Sequence, residues 1–206
     1  MASTYSLKPA FQNLLRPLVN GLARTGVSPN QITIAALALS LSAGLLLACS
    51  RSRATLLALP PVLFLRMALN AMDGMLAREH MQASAAGAVL NELGDTISDV
   101  ALYLPLALEP AFGVWPIAGV VILSVLTEMT GVLGVPFGGT RRYDGPLGKS
   151  DRAFLFGLLA LLLGLGVPVK PAIPHVLLAM IALLACTIAN RLRHILRQAS
   201  GLASAQ

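Results

Sequence analysis

The sequence predicts an all-α integral membrane protein, and its composition and hydropathy pattern are the grounds for this prediction. Of the 206 residues, 56% are hydrophobic and only 12% are charged, and the mean hydropathy is +0.75. Such a composition is far from that of a soluble globular domain. A helix needs about 20 mainly apolar residues to cross a bilayer. We therefore expect six transmembrane helices, at 32–49, 54–72, 85–108, 112–135, 153–169 and 173–189.

The segment before the first span predicts an amphipathic helix lying at the membrane interface. Within residues 5–27, apolar side chains recur at helical spacing at Leu7, Phe11, Leu14, Leu15, Leu18 and Leu22. An ordinary juxtamembrane linker is the alternative. Ser28 then suits an N-cap and Pro29 a first helical position. The expected organisation is an interfacial segment at 1–30, a six-helix transmembrane domain at 31–198 and a tail at 199–206.

The basic residues between the spans predict the topology. A cytoplasmic N-terminus puts eleven of them inside and three outside. The inside group is Lys8, Arg16, Arg24, Arg78, Arg141, Arg142, Lys149, Arg152, Arg191, Arg193 and Arg197, and the outside group is Arg51, Arg53 and Lys170. This bias places both termini in the cytoplasm. The net charge of +6 does not indicate nucleic acid as a partner, because the basic residues alternate with spans and do not cluster with aromatic residues.

Polar side chains in the second and third spans indicate a functional site, because ionisable groups within a membrane are costly. One stripe comprises positions 66, 70, 73 and 77, and the other Gly87, Asn91, Asp95 and Asp99. The two helices run in opposite directions, so Asp73 is expected at the level of Asn91 and Asp95. Carboxylate and amide oxygens suit Mg²⁺, Mn²⁺ or Ca²⁺. Gly74 and Gly87 leave room for a phosphate.

Residues 70–95 resemble the signature of the CDP-alcohol phosphotransferase family, D-x2-D-G-x2-A-R-x8-G-x3-D-x3-D, with every spacing kept. The S-P-N-Q-I-T segment at 28–33 is similar to the start of that family's first span. The resemblance implies a phospholipid-synthesising enzyme that moves a phosphatidyl group from CDP-diacylglycerol to a small alcohol or lipid acceptor and releases CMP. It also implies a Mg²⁺ or Mn²⁺ cofactor of one or two ions, and a homodimer. The expected location is a bacterial inner membrane, with the active site facing the cytoplasm.

The same resemblance implies roles for individual residues. The metal ligands would be Asn70, Asp73, Asn91 and Asp95, with Asp95 also the general base. The donor contacts would be Asp73, Gly74, Ala77, Arg78 and Gly87. Two positions depart from the pattern, because Asn70 and Asn91 stand where the family has its first and third aspartates. An amide offers an oxygen but no charge, so the number of ions stays open.

The other charged residues within or between the spans have weaker expectations. Arg66 and Asp99 lie about two turns deeper than the motif, which predicts a structural ion pair; a metal role for Asp99 is the alternative. Glu128 is expected to meet Arg66, Asn70 or a backbone group. In the 136–152 loop and at the start of the fifth span, the basic residues are expected either to bind an acceptor phosphate or the donor diphosphate, or only to serve topology; they are Arg141, Arg142, Lys149 and Arg152.

Three rival functions fit parts of the pattern. The first is an aminoalcohol-type transfer from a soluble CDP-alcohol to diacylglycerol. The second is a transporter using the polar stripes, although the internal repeats typical of transporters are missing. The third is a non-catalytic relative that binds lipid or nucleotide. Metal-dependent CMP formation distinguishes an enzyme from the last two.

Overall fold

The computed structural model describes residues 4–50, 52–137 and 140–203, and within these ranges it contains helices and no strands. The predicted all-α class is therefore confirmed. The helices are α1 (Thr4–Arg24), α2 (Pro29–Cys49), α3 (Arg53–Glu79), α4 (Ala85–Tyr103), α5 (Val114–Val132), α6 (Lys149–Gly164) and α7 (Ile173–Ala203). Arg51, which the topology prediction uses, and residues 204–206 of the predicted tail lie outside the described residues.

Helix α1 is the predicted N-terminal helix, and it packs along α3. Val19 is fully buried there against Met75 and Leu76. Leu14 and Leu18 point away from the bundle and are 75% and 55% exposed. The helix thus has one apolar face on the protein and further apolar side chains free to meet lipid, as expected of an interfacial helix.

Helix α2 begins as predicted. Ser28 is the N-cap and Pro29 follows at the first turn. The backbone N–H of Gln31 donates to Ser28 Oγ at 3.4 Å, and the backbone N–H of Ser28 donates to the side-chain Oε1 of Gln31 at 2.9 Å. This reciprocal pair is a capping box, which satisfies backbone donors that a helix start leaves free. The cap therefore fixes the residue at which α2 begins.

The helix bounds differ from the predicted spans at several places, and the longest extension is that of α7, which continues to Ala203 beyond the predicted 189. Helix α3 continues to Glu79, so the whole D-G-x2-A-R segment is helical. The third predicted span is α4 followed by a 3₁₀ turn at Leu104–Leu108; Pro105 lacks the N–H that a continuing α-helix needs. Helix α6 begins at Lys149, four residues before the predicted 153.

Four helices in the described part of the chain are long and apolar enough to cross a bilayer, namely α2, α3, α5 and α7. Helix α6 has only 16 residues. Helix α4 contains Glu92, Asp95 and Asp99, which lower its hydropathy. The two shorter or more polar helices are nevertheless integrated into the bundle: α4 packs on α2, and α6 packs on α3. The Tyr103 and Phe156 rings, from α4 and α6, stack with centroids 4.3 Å apart.

Candidate active site

Helices α2, α3 and α4 enclose a cavity of about 180 Å³ at the ends that carry the sequence motif. Six residues predicted to form the site line it: Asp73, Gly74, Ala77, Arg78, Gly87 and Asn91. Asn30 and Thr33 of α2 also line it. We call this space the donor cavity. The helical spacing of the motif thus brings residues 14 to 18 positions apart, such as Asp73 and Asn91, to one site.

Asp73 is a buried carboxylate with a neutral side-chain partner. It is 5% exposed, and Thr33 Oγ1 donates to its Oδ2 at 2.8 Å. No lysine, arginine or histidine within the described ranges forms a salt bridge with it. A buried charge without a counter-ion is costly, so Asp73 is set up to receive a cationic group from outside the chain.

The two motif glycines make room for polar side chains at the wall of the donor cavity. A Cβ atom at Gly74 would lie 3.2 Å from Arg78 Nη1, so the guanidinium folds over the glycine. A Cβ atom at Gly87 would lie 2.7 Å from Asn30 Oδ1 and 3.0 Å from Ser84 Oγ. Real side chains do not pack so closely, so glycine at position 87 allows Asn30 to reach the cavity.

Asn70, from α3, and Asp95, from α4, do not line the donor cavity. Arg66, Asn70, Lys149 and Ser150 line a second cavity of about 120 Å³ between α3 and α6. Asn70 Nδ2 donates to Asp95 Oδ1 at 2.7 Å, and Lys149 Nζ forms an ion pair with the same oxygen. Arg66 Nη2 lies 3.6 Å from it. The structure thus divides the four predicted metal ligands into two pairs with different surroundings.

A continuous series of ion pairs extends from Asp95 through the bundle. Eight side chains of alternating sign follow one another in the order Lys149, Asp95, Arg66, Asp99, Arg152, Glu128, Arg141 and Glu92. We call this series the charge chain. It contains four cations and four carboxylates, so its formal charges cancel. Buried charges are tolerated when paired and hydrogen-bonded in this way.

The predicted contact between Arg66 and Asp99 is present at the centre of the charge chain. Arg66 Nη1 donates to Asp99 Oδ1 at 2.6 Å, and Arg152 Nη2 donates to Asp99 Oδ2 at 2.8 Å. Asp99 therefore has a cation on each carboxylate oxygen. Arg152 is fully buried, whereas the sequence predicts for it either contact with a phosphate of a ligand or a topological role at the start of a span.

The expected partners of Glu128 were wrong. Its carboxylate contacts Arg152 Nη2 at 2.8 Å and Arg141 Nη2 at 2.9 Å, and not Arg66 or Asn70. The reason is that Arg152, from α6, occupies the space between Glu128 on α5 and Asp99 on α4. Arg141 also lies 2.5 Å from Glu92. Partial burial lowers the pKa of Arg141, but Glu92, Tyr143 and Glu128 outweigh it and hold that pKa above its ordinary value.

The loop before α6 is attached to the bundle by Arg191, which the sequence did not single out beyond topology. Arg191 Nε donates to the Asp144 carbonyl at 2.9 Å, and its Nη1 donates to the Thr127 carbonyl at 2.5 Å. The Arg142 amide nitrogen donates to the Gly131 carbonyl at 2.9 Å. These bonds hold residues 140–148 against α5 and α7 and so help to place Lys149 at the start of α6.

Sequence reasoning also missed Asn30 and Thr33 as site residues. The signal was available, because both belong to the S-P-N-Q-I-T segment, which was interpreted only as the start of a span. Polar residues at the second and fifth positions of an otherwise apolar helix lie one turn apart on one face. In the structure, this face of α2 is turned towards Asp73.

The side chains in the donor cavity fit a divalent cation by their chemistry. Asp73 supplies a carboxylate, and the amide groups of Asn91 and Asn30 line the same space. Oxygen ligands of these kinds suit Mg²⁺ or Mn²⁺. In the described residues no three histidine, cysteine, aspartate or glutamate side chains gather as a metal-binding group, which agrees with asparagine at positions 70 and 91. The side-chain oxygen donors of this cavity are therefore one carboxylate, of Asp73, with the amides of Asn30, Gln82 and Asn91 and the hydroxyls of Thr33 and Ser84.

A family model for CDP-alcohol phosphatidyltransferases matches residues 26–197. This range includes the donor cavity, the charge chain and all of the predicted site residues. The chain belongs to the CDP-alcohol phosphatidyltransferase family, and we assign it to that class of enzyme.

The chain is also similar to particular proteins. The chain is 50% identical over 167 residues to the inner membrane protein YnbA of Escherichia coli (strain K12), a match that covers 81% of each chain. Its fold is similar to that of phosphatidylinositol phosphate synthase PgsA1 of Mycobacterium tuberculosis. The comparison with the PgsA1 structure that has CDP-DAG bound gives a TM-score of 0.73 and 24% sequence identity. It covers 87% of this chain and 92% of the PgsA1 chain. The comparison with the PgsA1 structure in complex with manganese and citrate gives a TM-score of 0.73 and 23% sequence identity, and it covers 87% of each chain.

Proposed function

We propose that this protein transfers a phosphatidyl group from CDP-diacylglycerol to a small alcohol or lipid acceptor and releases CMP. The observation that carries the proposal is the donor cavity, where Asp73, Gly74, Ala77, Arg78 and Gly87 meet around one space. These are the positions at which the resemblance implies donor contacts. The PgsA1 structure with CDP-DAG bound has the same fold and supports this choice of donor.

The residues around the donor cavity have separate tasks in this proposal. Arg78, folded over Gly74, provides a guanidinium for the diphosphate of the donor. Asp73 and Asn91 would hold a divalent ion, Mg²⁺ or Mn²⁺, with Asn30 as a further oxygen donor. When bound, this ion supplies positive charge that offsets the diphosphate and the departing CMP. The PgsA1 structure with manganese supports a divalent metal in this fold.

Asp95 is the general base in the proposed reaction. Its Oδ1 accepts the contacts from Asn70, Lys149 and Arg66, which would fix the carboxylate, and Oδ2 would take the proton of the acceptor hydroxyl. The hydroxyl oxygen attacks the lipid-bearing β-phosphorus while its proton passes to Asp95. The bond from that phosphorus to the oxygen bridging to CMP breaks, and CMP leaves with the electron pair.

The proposal places the reaction at the cytoplasmic boundary of a bacterial inner membrane. YnbA is named as an inner membrane protein. All six bundle helices, α2 to α7, would cross the bilayer within a catalytic unit at 31–198, with both termini in the cytoplasm and the chain forming a homodimer. The short α6 and the polar α4 span as partners of apolar helices, because their charged groups lie in the charge chain and not towards lipid.

Arg142, whose buried Nε has no partner within the described ranges, is an acceptor contact.

The test is release of CMP by the purified protein from labelled CDP-diacylglycerol, across a panel of acceptor alcohols and with Mg²⁺ or Mn²⁺. Wild-type protein is expected to release CMP with at least one acceptor, and Asp73→Ala and Asp95→Ala to abolish release. Full activity in either variant would contradict the assignment. CDP-choline with diacylglycerol serves as the comparison donor, and product from that pair alone would establish the aminoalcohol-type reaction instead.

A further inference from the structure

Lys149 stands at one end of the charge chain. The position of its ammonium group points to a side chain in place of one of the two metal ions that the family resemblance allows. Lys149 has one ion-pair partner within the described residues, Asp95. It is the first residue of α6, and its side chain is 28% exposed at the wall of the second cavity, beside Asn70. An ammonium group is thus held at one of the four motif positions and remains accessible to a ligand.

Charge balance separates this position from Asp73. The formal charges of the charge chain cancel, so the Asp95 carboxylate is already neutralised by Lys149 and Arg66. The neighbouring side chain, Asn70, turns its amide nitrogen and not its oxygen towards Asp95. A divalent ion needs anionic or carbonyl oxygens, and here a cation and an N–H group occupy the approach to the carboxylate. Asp73, in contrast, has among the described residues only a hydroxyl as its side-chain partner.

The geometry places the ammonium close to the proposed donor. Asn70 is about one helical turn from Asp73 on α3, and Asp95 is about one turn from Asn91 on α4, steps of about 4.5 Å and about 6 Å along the respective axes. The Asn70 and Asp95 pair is therefore the next layer below the floor of the donor cavity. A cation fixed in that layer would act on the same diphosphate as an ion held at Asp73.

We infer that Lys149 serves as a built-in cation for the donor diphosphate, and that the chain binds a single divalent ion, at Asp73. The inference rests on the proposed function. Asparagine at positions 70 and 91 removes two negative charges from the site, and one lysine adds a positive charge. These three residues together convert a site for two ions into a site for one ion and an ammonium group.

Ion counting tests this inference directly. Mn²⁺ is titrated into the purified full-length protein in detergent with CDP present, and bound ions are counted by electron paramagnetic resonance. Wild type is expected to bind one Mn²⁺ per chain. The triple variant Asn70→Asp, Asn91→Asp, Lys149→Gln is expected to bind two. Two ions in wild type, or one in a folded triple variant, would overturn the inference.

Single substitutions provide a test that does not depend on folding of the triple variant. Lys149→Gln is expected to keep one Mn²⁺ and to weaken CDP binding about tenfold, because one charge-assisted contact is lost. Lys149→Arg should retain most of the affinity. Lys170→Gln, which removes an exposed lysine remote from the site, is the matched control and should leave affinity unchanged. Equal CDP affinity in wild type and Lys149→Gln would contradict the role of Lys149.

The two levels of the proposal fail in different ways. Wild type that releases CMP but binds two Mn²⁺ ions would overturn the built-in cation and preserve the transferase. Wild type that binds one ion and CDP but yields no CMP with any acceptor would overturn the transferase and preserve the ion count.

Discussion

Asp73 and Asp95 are both aspartates of one motif, but the protein surrounds them in opposite ways. Asp73 faces a cavity and receives a hydrogen bond from a neutral hydroxyl. Asp95 meets an ammonium, a guanidinium and an amide N–H. The difference teaches that a buried carboxylate is available to a metal ion only when the fold has not already neutralised it. Three variants, described in order of expected effect, test this contrast.

The largest effect is expected for Asp73→Asn, which keeps the shape of the side chain and removes its charge. CMP release should fall about a thousandfold, equivalent to ~4 kcal/mol of transition-state stabilisation. The melting temperature in detergent should not fall, because a buried charge without a counter-ion has been removed. Loss of thermal stability together with activity would show that Asp73 belongs to the structure and not to the site.

The second effect concerns the charge chain, where Arg152→Met is expected to lower stability. The substitution leaves Asp99 and Glu128 each short of one cation, and breaking a buried pair costs about 3 kcal/mol or more. Thermal unfolding in detergent measures the loss. Arg193→Met, which changes an exposed arginine of α7, is the control. An unchanged melting temperature for Arg152→Met would mean that the charge chain does not stabilise the bundle.

The smallest effect is expected for Gly87→Ala at the wall of the donor cavity. The added methyl would displace Asn30, whose Oδ1 is 2.7 Å from the new atom. The KM for CDP-diacylglycerol should rise about tenfold, a change of ~1.4 kcal/mol in binding. Gly21→Ala is the matched control, since nothing lies within 4 Å of a Cβ atom there. A KM equal to that of wild type would separate Gly87 from donor binding.

Much of the fold could be predicted because it depends on patterns within single helices. Apolar runs indicated where most of the bundle helices lie, and the Ser28 cap indicated where α2 begins. The spacing of the motif was sufficient to bring Asp73 and Asn91 to one cavity. The Arg66 to Asp99 contact followed from depth alone, because both residues lie about two turns below the motif.

The partners of Glu128 and the burial of Arg152 could not be predicted in the same way. They depend on how α5 and α6 are rotated towards α4, and such rotation is determined by packing between helices. Periodicity within one helix gives its polar face but not the neighbour which that face meets. The same limit explains why Lys149 was expected in a loop that contacts the acceptor, whereas it begins α6 beside Asp95.

Gly44 has a consequence for heat sensitivity. A side chain at this position would collide with the Ala101 carbonyl of α4, so α2 and α4 touch there without side chains between them. Gly44 lies about 16 Å along α2 from Thr33, far from any reacting atom. Alanine at position 44 would push α2 and α4 apart at this end of α2. The resulting tilt of α2 would move Thr33, at its other end, away from Asp73. Such a substitution is a rational starting point for a temperature-sensitive allele that switches the enzyme off without altering its catalytic groups.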